Sequence, residues 1–497
     1  MTASDPAAPA ARFIRHTRIG DTETTISAAA KLMQPERGDF LLESVEGGEA
    51  WARYSLLGLA PDLVFRATGD RAEINRSWLS DRAAWQPCEL ATLPAFRALR
   101  DSVRAEVPDD LPPVLATLVG YFGFEALGLQ ERWTRHPDSG LGLPDLLFVR
   151  PTVLIVFDRL SDRLHLVSPV WPDSPPVADP VAAAEARLDA TERALDGAIP
   201  ATESAVLPPA EPVPCVPASV YEAAVVRAQG YIAAGDVFQV VLAQRFTAPF
   251  ALPPLELYRS LRRVNPSPFL YHLDLPGFAL IGSSPEILVR VRDGQMTIRP
   301  IAGTRRRGAD AMEDADFEAD LRADPKENAE HLMLLDLGRN DVARACEAGS
   351  VTVTARAEVE RYSHVMHMVS NVTGRLAAGT DPLDALFAGF PAGTVSGAPK
   401  LRACEIVTEL EAEARGPYGG GVGYFAPDGS FDSCIILRTA VLKDGTMHVQ
   451  AGAGIVADSV PALEARECEA KASALFAAAR DARERAAGRL ARDGNNP

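Results

Sequence analysis

Five ionic side chains stand out against a glycine-rich background between Phe387 and Lys471: Lys400, Arg438, Glu464, Glu467 and Lys471. The stretch runs FAGFPAGTVSGAPK, GPYGGGVGYF, SCIILRTA, QAGAGIVADS and EARECEAK. Glycine lets backbone approach a ligand closely and adopt positive φ. Sparse charges at fixed places among such glycines point to a small anionic substrate, with a metal ion as a further partner. Glu327 and Glu330 lie three apart in KENAEHLMLLDLGRND, on one face of a helix, and Glu464, Glu467 and Lys471 share a face at i, i+3 and i+7. Carboxylates without zinc-type ligands suit a hard cation held by few protein groups, as magnesium is. Spacing alone favours a plainer reading, solvated helix faces with i,i+4 pairs such as Glu467–Lys471. His364 and His367 stand three apart in RYSHVMHMVS. On a strand that odd spacing turns them to opposite faces, so at most one enters a site.

The chain that must position these groups has 497 residues, enough for two domains or one large two-lobed one. With 47% hydrophobic and 24% charged residues it falls in the globular class. It has no apolar run of membrane-spanning length. The start, MTASDPAAPAARF, lacks a signal layout, and residues 1–12 read as a disordered tail. A net charge of −17 argues against nucleic acid as partner. It also requires that local cations or a metal meet any anionic substrate. Six cysteines without CxxC spacing read as reduced thiols of a cytoplasmic protein. The eight histidines show no zinc-like spacing.

Between Phe13 and Val170, short apolar runs such as FLLESVE, RYSLLGLA, LVFRAT and PTVLIVFDRL read as strands. Ala182–Ala198 reads as a helix, closing an N-terminal region over 13–199. The Pro-rich segment 200–218 is the linker. A catalytic region over 219–480 follows, then a polar tail over 481–497. In it, Val220–Ala234 reads as a helix with Ser219 as cap, PPLELYRSLRRV as another, and 269–304 as a strand series. Lys326–Cys346 and Leu463–Leu490 read as helices. The expected architecture is α+β, with large antiparallel sheets; strands from both sides of the linker are free to share a sheet. Nothing resembles a Walker loop or a GxGxxG strand–turn–helix.

The segment Val220–Ala472 resembles the chorismate-binding enzymes, which include anthranilate synthase component I, aminodeoxychorismate synthase, isochorismate synthase and salicylate synthase. The resemblance rests on GSSPE (282–286), PIAGTRRRG (300–308), DPKENAEHLMLLDLGRND (324–341), VMHMVS (365–370), FPAGTVSGAPK (390–400), GPYGGGVGY (416–424), ILRTA (436–440) and QAGAGIVADSVPALEARECEAK (450–471), in the family's order. It implies sheets forming an orthogonal sandwich surrounded by helices, and a magnesium-dependent reaction on chorismate. It assigns magnesium to Glu330 and Glu467, with Glu464 nearby, against the plainer reading. Tyr418 and Arg438 would hold the enolpyruvyl carboxylate. Thr394, Gly452, Gly454 and Lys471 would surround the ring and its carboxylate, with Ala302, Gly303 and Thr304 lining the same site. Glu286 matches the general acid for the departing C4 hydroxyl, a role that needs a raised pKa. His367 matches the catalytic histidine.

Two positions select the reaction. Water-adding members carry a lysine where this chain has Gln239, which cannot serve as a base at neutral pH. Aminodeoxychorismate synthases typically carry a nucleophilic lysine where this chain has Ala302. With both lysines absent, the expected chemistry is amination at C2 by ammonia, then pyruvate loss to anthranilate; amination at C4, in the folate direction, is the alternative. LLESVEGGEAWARYSLLG (41–58) resembles the region where the anthranilate-forming branch binds tryptophan as feedback inhibitor. That resemblance assigns to the inhibitor Leu42, Glu43 and Ser44, with Asn265, Pro266, Ser267, Pro268, Phe269 and Cys434 as the opposite wall. No cysteine sits in a Gly-rich elbow, so ammonia is expected from a separate glutamine amidotransferase subunit.

Overall fold

The computed structural model describes residues 11–43, 53–109, 111, 114–174, 177–201, 211–361 and 365–493. Ser44 and His364 lie outside them. Short strands rich in β-branched and aromatic residues build two sheets of twelve strands each, and the pairings are antiparallel. In the first sheet, strands Arg12–Ile19, Arg163–Val170, Val153–Asp158, Tyr54–Leu59 and Asp39–Glu43 follow one another. Asp39–Glu43 then pairs with Phe269–Leu275, placing Glu43 opposite Leu270. Phe278–Ser284, Thr439–Lys443, Thr446–Ile455 and Gln239–Pro249 continue the sheet. The second sheet has a matching seam, where Gly421–Phe425 pairs with Leu118–Phe122. Strands from before and after the Pro-rich segment therefore share both sheets.

Alternation along the strands fills two layers. Phe40, Leu56, Leu273 and Leu280 of the first sheet pack with Val64, Tyr121, Val149 and Val422 of the second in one buried cluster. Tyr121 and Phe278 meet edge-on across it at 5.9 Å. The larger cluster takes the other faces and the helices, and includes Phe96, Phe148 and Phe425. Each such buried ring contributes about 1.5–3 kcal/mol of transfer free energy.

The helices that approach the sheet edge have local start signals. Asp324 accepts the N–H groups of Lys326 and Glu327 at 2.9 and 3.2 Å, ahead of Pro325, and so starts helix Pro325–Ala345. The C-terminal helix spans Pro461–Asp493, with Glu464 in its first turn, where the helix dipole favours an anion. Its stretch beyond residue 480 is packed, Ala482 and Ala486 being fully buried. Helix Ala218–Ala233 begins directly after Pro217, so Ser219 lies inside the first turn and caps nothing. No helix among the described residues is long and apolar enough to cross a membrane.

Candidate active site

Strands Gln239–Pro249 and Thr446–Ile455 pair along their length, and helices Pro325–Ala345 and Pro461–Asp493 reach over them. Ala451, Ala453 and Ile455 point into the core, which turns Gly452 and Gly454 to the opposite face. That face has no room for a side chain. A Cβ on Gly452 would stand 2.8 Å from the Tyr418 hydroxyl, and one on Gly454 would stand 2.5 Å from Gln239 Nε2. Gln239 in turn reaches Glu330 Oε1 at 3.4 Å. Lys471 Nζ donates to the Gly452 carbonyl at 3.0 Å and pairs with Glu467 at 2.7 Å. Gln239, Glu330, Tyr418, Gly452, Gly454, Glu467 and Lys471 thus form one continuous neighbourhood.

Glu286 follows the strand Phe278–Ser284 and is only 7% exposed. Burial pushes its carboxyl up to about 8, against hydrogen bonds from Thr394 and the Ile301 backbone that favour the ionised form. The Thr394 contact is 3.1 Å. His367 lies opposite Thr304 in the strand pair Ile301–Arg306 and Val365–Arg375. Its Nδ1 is 3.0 Å from the Gly303 carbonyl and 3.0 Å from Thr304 Oγ1. A carbonyl only accepts, so Nδ1 carries the proton and Nε2 holds the lone pair. Desolvation, aided by the charge of Arg438, keeps this imidazole below its ordinary pKa and neutral. Ala302 is buried on the same strand, where a bulge separates it from Thr304 and Gly303 sits at φ +69°. Arg438 has φ +47°, a conformation that non-glycine residues adopt rarely. Tyr418 is buried, and desolvation raises its phenol further.

The carboxylates divide in two. Glu327 pairs with Arg305 at 3.0 Å and belongs to a surface ion-pair set. Burial raises the pKa of Glu330 and of Glu464, and both feel the charges of Lys326 and Lys471. They are therefore undercompensated anions facing the same region. Glu467 is turned to Lys471, and among the described residues the three oxygen donors do not converge within 4.8 Å of one another. Hard oxygen donors that lack enough cations fit a divalent ion of the magnesium type. Lys400, expected among the cations around the anion, is instead buried against Asp341 at 2.8 Å and the Gly389 carbonyl at 3.1 Å. It holds helix Lys400–Leu410 to helix Pro325–Ala345.

A separate cavity of about 210 Å³ opens between the two sheets. Leu42, Pro268, Phe269 and Cys434, four of the residues assigned to the inhibitor by resemblance, line it. Asn265, Pro266 and Ser267 lie in the turn that precedes Phe269–Leu275, outside its lining. The sequence reading missed Tyr54, Leu56, Arg290, Tyr424 and Asp432. Tyr54 and Leu56 lie within the 41–58 motif and Tyr424 ends GPYGGGVGY, while no motif marks Arg290 or Asp432; the five come together only when the strands pair. Asp432 Oδ2 accepts from Arg290 and Arg292 at 3.0 and 2.9 Å, and its Oδ1 is buried without a hydrogen-bond partner among the described residues. Glu43 touches the cavity, but its carboxylate points to the helical side. There Thr25, Tyr258, Arg262 and Arg159 donate to it at 2.7, 2.7, 2.9 and 3.1 Å. Strand alternation explains the split, since Leu42 and Glu43 must face opposite ways.

This site on this pair of sheets defines a class. The family model "chorismate binding enzyme" matches residues 41–477, and the chain belongs to that family. The match extends well before Val220, as the shared sheets require. Within the family, the chain is 50% identical to anthranilate synthase component 1 of Cereibacter sphaeroides, covering 93% of each chain. It is 46% identical to the protein of that name from Thermus thermophilus, covering 94% of this chain and 97% of the relative. The crystal structure of anthranilate synthase component I from Streptococcus pneumoniae superposes with a TM-score of 0.77 at 34% identity, over 92% of this chain and 98% of that one. The menaquinone-specific isochorismate synthase of Escherichia coli shares the fold, with a TM-score of 0.70 at 19% identity over 96% of each chain.

Proposed function

We propose that this chain acts as an anthranilate synthase component 1, a cytoplasmic enzyme that turns chorismate and ammonia into anthranilate, pyruvate and water. The observation that carries the reading is full-length similarity, at 50% and 46% identity, to relatives of that name. The site chemistry agrees with it. Gln239 and Ala302 offer neither a base for water nor an amine for a covalent adduct. Ammonia needs neither.

In this reading Arg438 and Tyr418 hold the enolpyruvyl carboxylate, while Lys471 and the backbone at Gly452 and Gly454 meet the ring and its carboxylate. Ammonia forms a bond to C2 as the ring double bonds shift and the C4–O bond breaks. Glu286, protonated below about pH 8, gives its proton to the departing hydroxyl, which leaves as water. Loss of the C2 proton then breaks the C3–O bond and makes the ring aromatic; the side chain leaves as the enolate of pyruvate, which takes up a proton at its methylene carbon. His367 supplies a neutral acceptor nitrogen for the C2 proton. Glu330, Glu467 and Glu464 would hold magnesium, which when bound supplies positive charge against the substrate carboxylate in this acidic chain. Ammonia comes from a separate glutamine amidotransferase subunit.

The inter-sheet cavity suits tryptophan as feedback inhibitor. Its apolar walls match a ring, while Arg290 and the Asp432 carboxylate match carboxylate and ammonium. Incubating the purified chain with chorismate, magnesium and ammonium chloride should generate anthranilate fluorescence. Formation of 4-amino-4-deoxychorismate, or of isochorismate, in its place overturns the reading.

A further inference from the structure

The strand Gln239–Pro249 has one complete edge and one broken edge. On the broken edge, Gly397–Ala398 pairs only with Val240 and Gln239, and Val213–Pro214 only with Thr247 and Phe246. Between them an ion pair stands in for a strand. Glu411 Oε1 accepts the Ala243 N–H at 2.8 Å, and Arg415 Nη2 donates to the Val241 carbonyl at 2.7 Å. Arg415 and Glu411 bond each other at 2.5 and 2.9 Å with side chains 1% and 5% exposed.

The same guanidinium reaches two more segments. Its Nη1 donates to the Val395 carbonyl at 2.6 Å, next to Thr394. Its plane lies near the Tyr418 ring, 5.4 Å from the centroid, and Phe124 covers it at 4.6 Å. Glu125, from the N-terminal half, then fixes the loop itself: its two oxygens accept the N–H groups of Arg415 and Gly416, each at 2.9 Å.

We propose that Arg415, held by Glu411 and Glu125, is a positioning residue that sets the register of Gln239, Thr394 and Tyr418. The inference rests on those three belonging to the site proposed above. Arg415 touches no reacting atom. It acts by locking a strand, a short helix and a loop into one frame, with donors that only the planar fork presents in three directions. Glu125 serves the loop alone, and so bears on Tyr418 more than on Gln239.

Arg415→Lys keeps the charge but cannot span the three acceptors. With ammonium chloride as nitrogen source, its kcat should fall about 10²-fold, the scale of an ångström of misplacement, with a far smaller change in the chorismate KM. Glu125→Gln puts an N–H against an N–H, so it should raise the KM more than it lowers kcat. Amide exchange gives a readout independent of turnover. It should quicken at Ala243 in Arg415→Lys and at Gly416 in Glu125→Gln, in variants that circular dichroism shows folded at the assay temperature. If Arg415→Lys does not fold, Glu125→Gln decides. Parental kcat, KM and exchange in the folded variants overturn the proposal. A parent chain that makes no anthranilate counts against the proposed function instead, and exchange at Ala243 and Gly416 still decides the frame.

Discussion

The Thr394 hydroxyl donates to the Glu286 carboxyl at 3.1 Å, in surroundings that push that carboxyl up to about 8. The hydrogen bond favours the ionised form, while burial, the larger effect, favours the acid. The acid is loaded at pH 7 and unloads as the pH rises through about 8. Turnover per free ammonia should therefore fall on that limb. Thr394→Val removes the bond that favours ionisation, so the limb should move to higher pH. A limb that stays in place separates Thr394 from the acid. The sign for stability follows from the same shift. The folded state keeps a proton that the unfolded chain loses above 4.5, so this group's contribution declines from there to about 8.

Glu467 is half exposed and paired with Lys471 at 2.7 Å. Taking up magnesium means exchanging that partner. Glu467→Gln should raise the magnesium concentration for half-maximal turnover about tenfold or more. A titration curve that overlays the parent would remove Glu467 from the ion's ligands.

Gly454→Ala places a methyl where Gln239 Nε2 stands, 2.5 Å away. The amide must swing off, and Glu330 loses its neighbour. Turnover should drop at least tenfold, while thermal unfolding moves little because the clash is with a side-chain end. Unchanged kinetics would place Gln239 outside the reacting geometry.

Ser44→Ala and Glu43→Ala should both relieve tryptophan inhibition, and Glu43→Ala should also cost stability. Glu43 satisfies four donors, two of them arginines. Removing it takes the acceptor from the buried Thr25 and Tyr258 hydroxyls and from Arg262, so Glu43→Ala should lower the denaturation midpoint. Full inhibition in a folded Ser44→Ala chain, read from anthranilate production with added tryptophan, takes that residue out of the pocket.

Lys400→Met breaks a buried pair and leaves the buried Asp341 carboxylate without its cation. Urea unfolding should register a loss of about 3–5 kcal/mol. A near-neutral result would mean that Asp341 takes up its proton at little cost.

What was legible in the sequence follows from where each constraint lives. Gly452 and Gly454 are local demands of the backbone, and each leaves a residue type at a fixed place; the helix read from Lys326 starts one residue earlier, at Pro325, behind the Asp324 cap. Glu286 and His367 were assigned only through the family resemblance of the motifs that surround them. Lys400 was misread because Asp341, its partner, lies on another helix. The strand position of Glu43 was plain, but its donors come from two helices and a distant loop. Arg415 and Glu125 gave no sign, since a carbonyl left open on a strand edge has no signature in sequence. Ser219 failed as a cap because Pro217 already supplies the extended backbone that a helix entrance needs.

The two seams, Asp39–Glu43 against Phe269–Leu275 and Gly421–Phe425 against Leu118–Phe122, make the halves of the chain obligate complements. Cut at the Pro-rich segment and produced alone, each half would present two raw sheet edges, rows of open amides and carbonyls that invite pairing with any other chain. Separately made halves should precipitate. Made together, they should find each other and rebuild the enzyme without a covalent link, because the edges that make each half sticky are also its instructions for recognising the other.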